Sequence, residues 1–261
     1  MKEMIDKEAK IWDRSAKKYF DDVVSPFAEG VKNPIFWYLD NKITGNTKEM
    51  SVIDIGCGIG NFLPILSLKF ANVIGIDFSP KMIEYAQEKT KSYSNIQLLV
   101  RDARDLSEFH TKFDVAVSVN SVLLPKITDV EKILREANLV LKEGGTLLAV
   151  FPAMEAFLYR ALLIQEKAME DGTSEEEALK IARNDLQENT PCDFESGVVK
   201  YPDCQQKNYY LFELKYRLWK AGFTNIKVRK VHYPWEVYED DTLLAFHDKQ
   251  KLWDWFVYAK K

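Results

Sequence analysis

The sequence predicts an α/β protein built on a doubly wound, mostly parallel sheet, and three observations carry that reading. Between Ser51 and Phe151, short apolar runs alternate with amphipathic stretches of helical period. A glycine-rich turn, Gly56-Cys57-Gly58-Ile59-Gly60, follows the first apolar run directly, and an aspartate, Asp77, closes the second. In open parallel sheets ligands bind beyond the carboxyl ends of the strands, so chemistry is expected at the residues that follow each one.

Each element has a local cause. Ser51–Ile55, Val73–Asp77, Ile96–Arg101, Asp114–Val119 and Thr146–Phe151 read as buried strands, short and rich in β-branched residues. Ser79 followed by Pro80 is an N-cap and first helical position, opening a helix through Lys89. Gly144-Gly145 is expected to close a helix running from about Asp129 to Lys142. After the fifth strand, Phe157, Leu158, Ala161, Leu162, Gln165, Ala168 and Met169 mark a helix ended near Gly172, and Ser174-x-x-Glu177 caps another through about Leu186. Residues 188–208 are polar, carry two prolines and one glycine, and read as a linker.

The chain of 261 residues suits one large domain, and its 46% hydrophobic and 29% charged content is that of an ordinary globular protein. No apolar run approaches the ~20 residues that span a bilayer, and the first residues are too interrupted by charge for a signal-peptide core. Three cysteines without a CxxC pair speak against a disulfide framework or a zinc site, so the cytoplasm is the expected compartment and no metal is expected. A net charge of -4 gives no long-range attraction to polyphosphate and disfavours nucleic acid as a partner.

The glycine turn alone is shared with dinucleotide enzymes. Its spacing here is GxGxG, and Asp54 lies two residues before the first glycine, where a phosphate would meet repulsion. Asp77 is placed to accept the hydroxyls of an adenosine ribose. In order, VIDIGCGIGNF, VIGIDFSPKMI, LVRDARDL, FDVAVSVNSVL and LVLKEGGTLLAVF resemble the successive motifs of class I S-adenosylmethionine-dependent methyltransferases. The resemblance covers about residues 50–151, and LFELKYRLWKAGFTNIKV at 211–228 resembles the family's late helix and sixth strand.

That resemblance implies a seven-stranded Rossmann-like sheet. It implies that Asp54 and the backbone of Gly56, Gly58 and Gly60 flank the methionine part of S-adenosylmethionine, and that Asp77 holds the ribose. Phe78 and Met82 would lie against the adenine, with Asp102 accepting from its exocyclic amine and the Ala103 backbone at the ring edge. Asn120 would offer its backbone carbonyl to the ammonium group. Read as residues alone, Phe78 and Met82 are equally at home in a core, and Cys57 reads as packing rather than a nucleophile.

The chain then divides into a 50–151 cofactor-binding core, residues 1–45 as an N-terminal helical lid, a 153–208 helical insertion as lid or subunit contact, and 209–261 as a helix with the last two strands. Trp12-Asp13-x-x-Ala16-x-x-Tyr19 resembles the lid of small-molecule methyltransferases, which implies that Tyr19 approaches the cofactor's carboxylate. Tyr19 and His232, just after the sixth strand, are candidates for the catalytic base, although a lone histidine is more often structural. The run after strand four, Asn120-Ser121-Val122-Leu123, lacks the proline-proline-aromatic run of DNA amino-methyltransferases and the Pro-Cys of cytosine-carbon enzymes. The expected acceptor is a small, partly apolar molecule and the expected state a monomer or homodimer. A macromolecular acceptor, a nicotinamide-dependent oxidoreductase and a non-catalytic cofactor-binding protein are the alternatives.

Overall fold

The computed structural model describes residues 10, 12–13, 25–189, 191–202, 204–238, 246 and 248–261. Its strands are β1 (Ser51–Ile55), β2 (Asn72–Asp77), β3 (Ile96–Val100), β4 (Phe113–Val119) and β5 (Leu141–Pro152), followed by β6 (Cys192–Asp193), β7 (Val198–Lys200), β8 (Gln205–Lys207), β9 (Thr224–His232) and β10 (Trp253–Lys260). Helices are α1 (Ile35–Asn41), α2 (Leu63–Lys69), α3 (Pro80–Thr90), α4 (Ile127–Leu139), α5 (Met154–Glu170), α6 (Glu175–Asn184) and α7 (Leu211–Lys220).

Among the described residues a seven-stranded sheet runs in the order β3-β2-β1-β4-β5-β10-β9. β1 to β5 are parallel, and β10 is antiparallel to both β5 and β9. Successive residues of a strand face opposite layers, and the core separates accordingly. Ile53, Leu147, Ala149 and Phe151 pack with Val130 and Ile133 of α4 and Leu214 and Leu218 of α7. Val52, Leu148 and Val150 face the other way, onto Ile35 of α1, Leu63 and Leu66 of α2, and Ile83 of α3. The expected doubly wound sheet is present, with helices on both faces.

The sequence misplaced the junction of α4 and β5. The helix stops at Leu139, and β5 already starts at Leu141, so Lys142 and Gly144-Gly145 belong to the strand. Phe113 pairs with Leu141 and Val115 with Thr146, so residues 142–145 bulge opposite Asp114 alone. Gly144 supplies the left-handed backbone of the bulge at φ 73, and Lys142 closes on Asp114 at 2.8 Å.

The linker reading of 188–208 is also corrected. This stretch contains the three-stranded sheet β6-β7-β8, whose Val198 and Val199 are buried. Its first hairpin is set by Asp193, which accepts from the amides of Glu195 and Ser196, and by Gly197 at φ 66. The two helices expected between strand five and this stretch are α5 and α6, and Ser174 accepts from the amide of Glu177 as its spacing implied.

Tyr209 ties these parts together. Its ring is fully buried, and its hydroxyl donates to the Val122 carbonyl at 2.7 Å in the loop after β4. Its own carbonyl accepts from the Trp255 indole at 3.1 Å. Tyr209→Phe leaves the Val122 carbonyl short of a donor and should lower stability in urea denaturation by about 1–2 kcal/mol, whereas Tyr209→Ala should cost about 3–5 kcal/mol.

Candidate active site

The parallel strands end on one edge, and three clefts open there. The first, about 810 Å³ of space including its open mouth, is lined by Gly56, Gly58, Asp77, Phe78, Met82, Asp102 and Ala103. The second, about 470 Å³, is lined by Asp54, Gly56, Cys57 and Phe27. A third, about 800 Å³, lies beyond β5 between Pro152, Phe157, Tyr233 and Asp254. Asn120 belongs to the walls of all three.

The glycine turn shapes the first two. Gly56 has φ 73, and its amide, with that of Cys57, donates to the Ile76 carbonyl at 2.8 and 2.9 Å. A Cβ at Gly56 would lie 2.3 Å from the Ser121 Cβ, so only glycine lets the loop after β4 approach. Ser121 holds that approach by donating to the Ile55 carbonyl at 2.6 Å. Asn120 takes the left-handed backbone at φ 46, which asparagine tolerates better than most residues.

Asp77 accepts from the Gly58 amide at 3.0 Å and the Ser79 amide at 2.9 Å. A carboxylate offers about four acceptor positions, so others remain for ligand hydroxyls. Burial pushes Asp77 up to about 6 even though the Ser79 and Gly58 amides pull the other way. Asp54 is 3% exposed, and burial, then the neighbouring Asp77 charge, raises it to about 7. Two carboxyls thus flank the turn, held at a cost that a cationic, hydroxyl-bearing ligand would relieve.

Asp102 has an occupied carboxylate. Arg104 donates to it from its backbone amide at 2.9 Å and from its guanidinium at 2.8 and 3.0 Å, and the same guanidinium reaches Asp129 at 3.3 Å. Any bond from Asp102 to an adenine amine would use a lone pair that Arg104 leaves. Met82 is buried against Ile59, with Trp12 packed on the pair. Asp13 accepts from the Ser79 hydroxyl at 2.5 Å and the Lys81 amide at 3.2 Å, which anchors this part of the N-terminal segment at the start of α3. Tyr19 lies outside the described residues. His232 is the last residue of β9, bonded through its backbone to Lys32, and lines none of the three clefts. Its neighbour Tyr233 lines the third. Burial raises the Cys57 thiol well above its ordinary value, consistent with packing.

The clefts fit S-adenosylmethionine. They offer a turn with room only for glycine, two carboxyls, and a buried Asn120 Oδ1 that has no hydrogen-bond partner among the described residues. A ligand with an ammonium, a sulfonium and ribose hydroxyls supplies the missing donors and positive charge.

The family model of a methyltransferase domain matches residues 46–215. The chain belongs to that family. Over 202 residues it is 30% identical to a demethylmenaquinone methyltransferase of Staphylococcus aureus (strain JH9), covering 72% of this chain and 73% of that protein. It is 39% identical over 102 residues to the Staphylococcus carnosus (strain TM300) protein of the same name, covering 38% of this chain and 41% of that protein. The chain thus matches less than half the length of one such relative and nearly three quarters of another. In fold, it superposes on the PH0226 protein of Pyrococcus horikoshii OT3 with a TM-score of 0.62 at 19% identity, covering 93% of this chain and 98% of that one.

The raised carboxyls make a prediction of definite sign. A carboxyl whose native value lies above its unfolded 3.8 binds its proton more tightly when folded. Its contribution to stability is therefore fully present below about pH 4 and lost as pH rises through about 7. Ligand-free wild type should lose thermal stability relative to Asp54→Asn between pH 5 and pH 8. At pH 8 the variant should be the more stable by up to about 4 kcal/mol, since a tenfold change in proton affinity is worth about 1.4 kcal/mol. Parallel melting curves across that range in calorimetry would refute the assignment.

Proposed function

We propose that the chain transfers a methyl group from S-adenosylmethionine to a nucleophilic O, N, S or C atom of a small, partly apolar molecule. The observation that carries this is the pair Asp54 and Asp77, buried on either side of a glycine turn and both raised by burial. A dinucleotide would bring its pyrophosphate to such a turn, where Asp54 repels it. The sulfonium of S-adenosylmethionine supplies an activated methyl group with a neutral thioether as leaving group. This chain's part is to bind and orient: Asp77 holds the ribose, Phe78 and Met82 border the adenine, Asp102 and Ala103 meet its edge, and Asp54 with Asn120 receives the amino-acid end.

A small acceptor is supported by the relatives' name, since demethylmenaquinone is a small, largely apolar molecule. It is supported too by Trp12 in the wall of the first cleft and by Ala156 and Phe157 of α5 in the wall of the third, side chains that suit a partly apolar molecule. We read the N-terminal segment and the 153–208 insertion as a lid that keeps water from the transfer. Among the described residues no helix is long and apolar enough to cross a membrane, and no group of His, Cys, Asp and Glu is arranged to hold a metal ion. On the sequence's own grounds, three cysteines without a CxxC pair, we propose a cytoplasmic protein and a transfer that needs no metal.

Asp77→Ala should weaken S-adenosylhomocysteine binding by about 30- to 1,000-fold, from two lost charge-assisted bonds at roughly 1–2 kcal/mol each. Calorimetry with S-adenosylhomocysteine and with NAD separates this reading from an oxidoreductase. Release of labelled methyl groups to a panel that includes reduced demethylmenaquinone tests the acceptor class, and a panel with no turnover would overturn it. Activity should survive EDTA. Loss that one divalent metal restores would show that a metal bridges acceptor oxygens.

A further inference from the structure

The third cleft carries a carboxyl that has no part in holding the cofactor. Asp254, the second residue of β10, lies opposite Pro152 at the end of β5, on the edge where the parallel strands terminate. Its Oδ2 accepts from the Tyr233 hydroxyl at 2.5 Å and from Asn120 Nδ2 at 2.9 Å. The first bond fixes the carboxylate against the chain leaving β9. The second links it to the residue shared by all three clefts. A carboxylate that receives two side-chain donors still has acceptor positions to offer the cavity it lines.

We propose that Asp254 is the catalytic base and the third cleft the acceptor site, taking a planar aromatic or enolic molecule with an ionisable hydroxyl. The proposal rests on the methyltransferase reading. The acceptor O–H bond breaks, the proton goes to the Asp254 carboxylate, and the electron pair left on the acceptor would bond to the methyl group as its bond to the donor's sulfur breaks, leaving a neutral thioether. The proton passes to solvent when the product leaves. Tyr233 and Asn120 position the carboxylate and keep it beside Asn120, the wall common to the methyl donor's clefts.

The remaining wall agrees with this acceptor. Phe157 and Tyr201 provide aromatic faces. Burial raises Asp254 itself above the ordinary carboxylate range, against the pull of Tyr233, Asn120 and the Ala153 backbone, and so brings its basicity closer to that of an acidic hydroxyl.

The test reads binding rather than turnover. With S-adenosylhomocysteine saturating, equilibrium dialysis compares 1-naphthol with 1-methoxynaphthalene, which keeps the ring and lacks the proton. Wild type should prefer the naphthol by about tenfold or more, the worth of one hydrogen bond to a charged group. Asp254→Asn should cut that preference to about threefold or less while S-adenosylhomocysteine affinity stays within about threefold of wild type. No preference in wild type overturns the proposal without needing any variant, and so does an undiminished preference in Asp254→Asn. Failure of wild type to bind S-adenosylhomocysteine is a separate result and overturns the methyltransferase reading instead.

Discussion

The architecture of the site follows from placing two carboxyls, Asp54 and Asp77, at the ends of adjacent parallel strands with almost no water around them. Their strands are paired in register, Asp54 opposite Gly75 and Ile55 opposite Ile76. The carboxyls are therefore close, and each makes the other harder to ionise. The glycine turn between them offers amides in compensation, but only Gly58 reaches Asp77. What is left is a pocket with surplus negative charge and unfilled acceptors, stable in the ligand-free protein because the carboxyls can hold protons. A cationic ligand with hydroxyls resolves that tension, and this is why the chemistry of the site points to one class of cofactor before any acceptor is considered.

The positions of the candidate residues were legible because strand-end residues in a parallel sheet are fixed by local order. Asp54, Gly56, Asp77 and Asn120 each lie within a residue of the end of a strand whose apolar run is plain in the sequence, and the fold brings all four to one edge. Asp102 was legible in position but not in state, because its partner Arg104 is two residues away in a turn whose geometry no periodicity announces. The end of α4 was misread because Gly144-Gly145 signals a helix stop and a strand bulge equally well. The β6-β7-β8 sheet was missed because its strands are two or three residues long, below the length at which alternation can be seen.

The cleft at Asp254 was hidden for a topological reason. Asp254 and Asn120 are 134 positions apart and meet only because β10 inserts antiparallel between β5 and β9. Reversing one strand puts the start of β10, rather than its end, at the edge where the others finish. The sequence drew attention to His232 as the residue after the sixth strand, yet its neighbour Tyr233 is the one that reaches the cleft. Alternation along an extended chain turns adjacent residues in opposite directions, so a shift of one position decides which is in the site.

If the two carboxyls are held partly protonated until the cofactor arrives, binding must expel protons. Calorimetric titration with S-adenosylhomocysteine in two buffers of different ionisation enthalpy measures that number directly. Near pH 6.5, between the values of about 6 and about 7 for Asp77 and Asp54, up to roughly one proton should be released per ligand bound, falling toward zero by pH 8. Tight binding with no proton release at pH 6.5, or with proton uptake, would contradict the account, because the carboxyls would then have been ionised, or not engaged, all along.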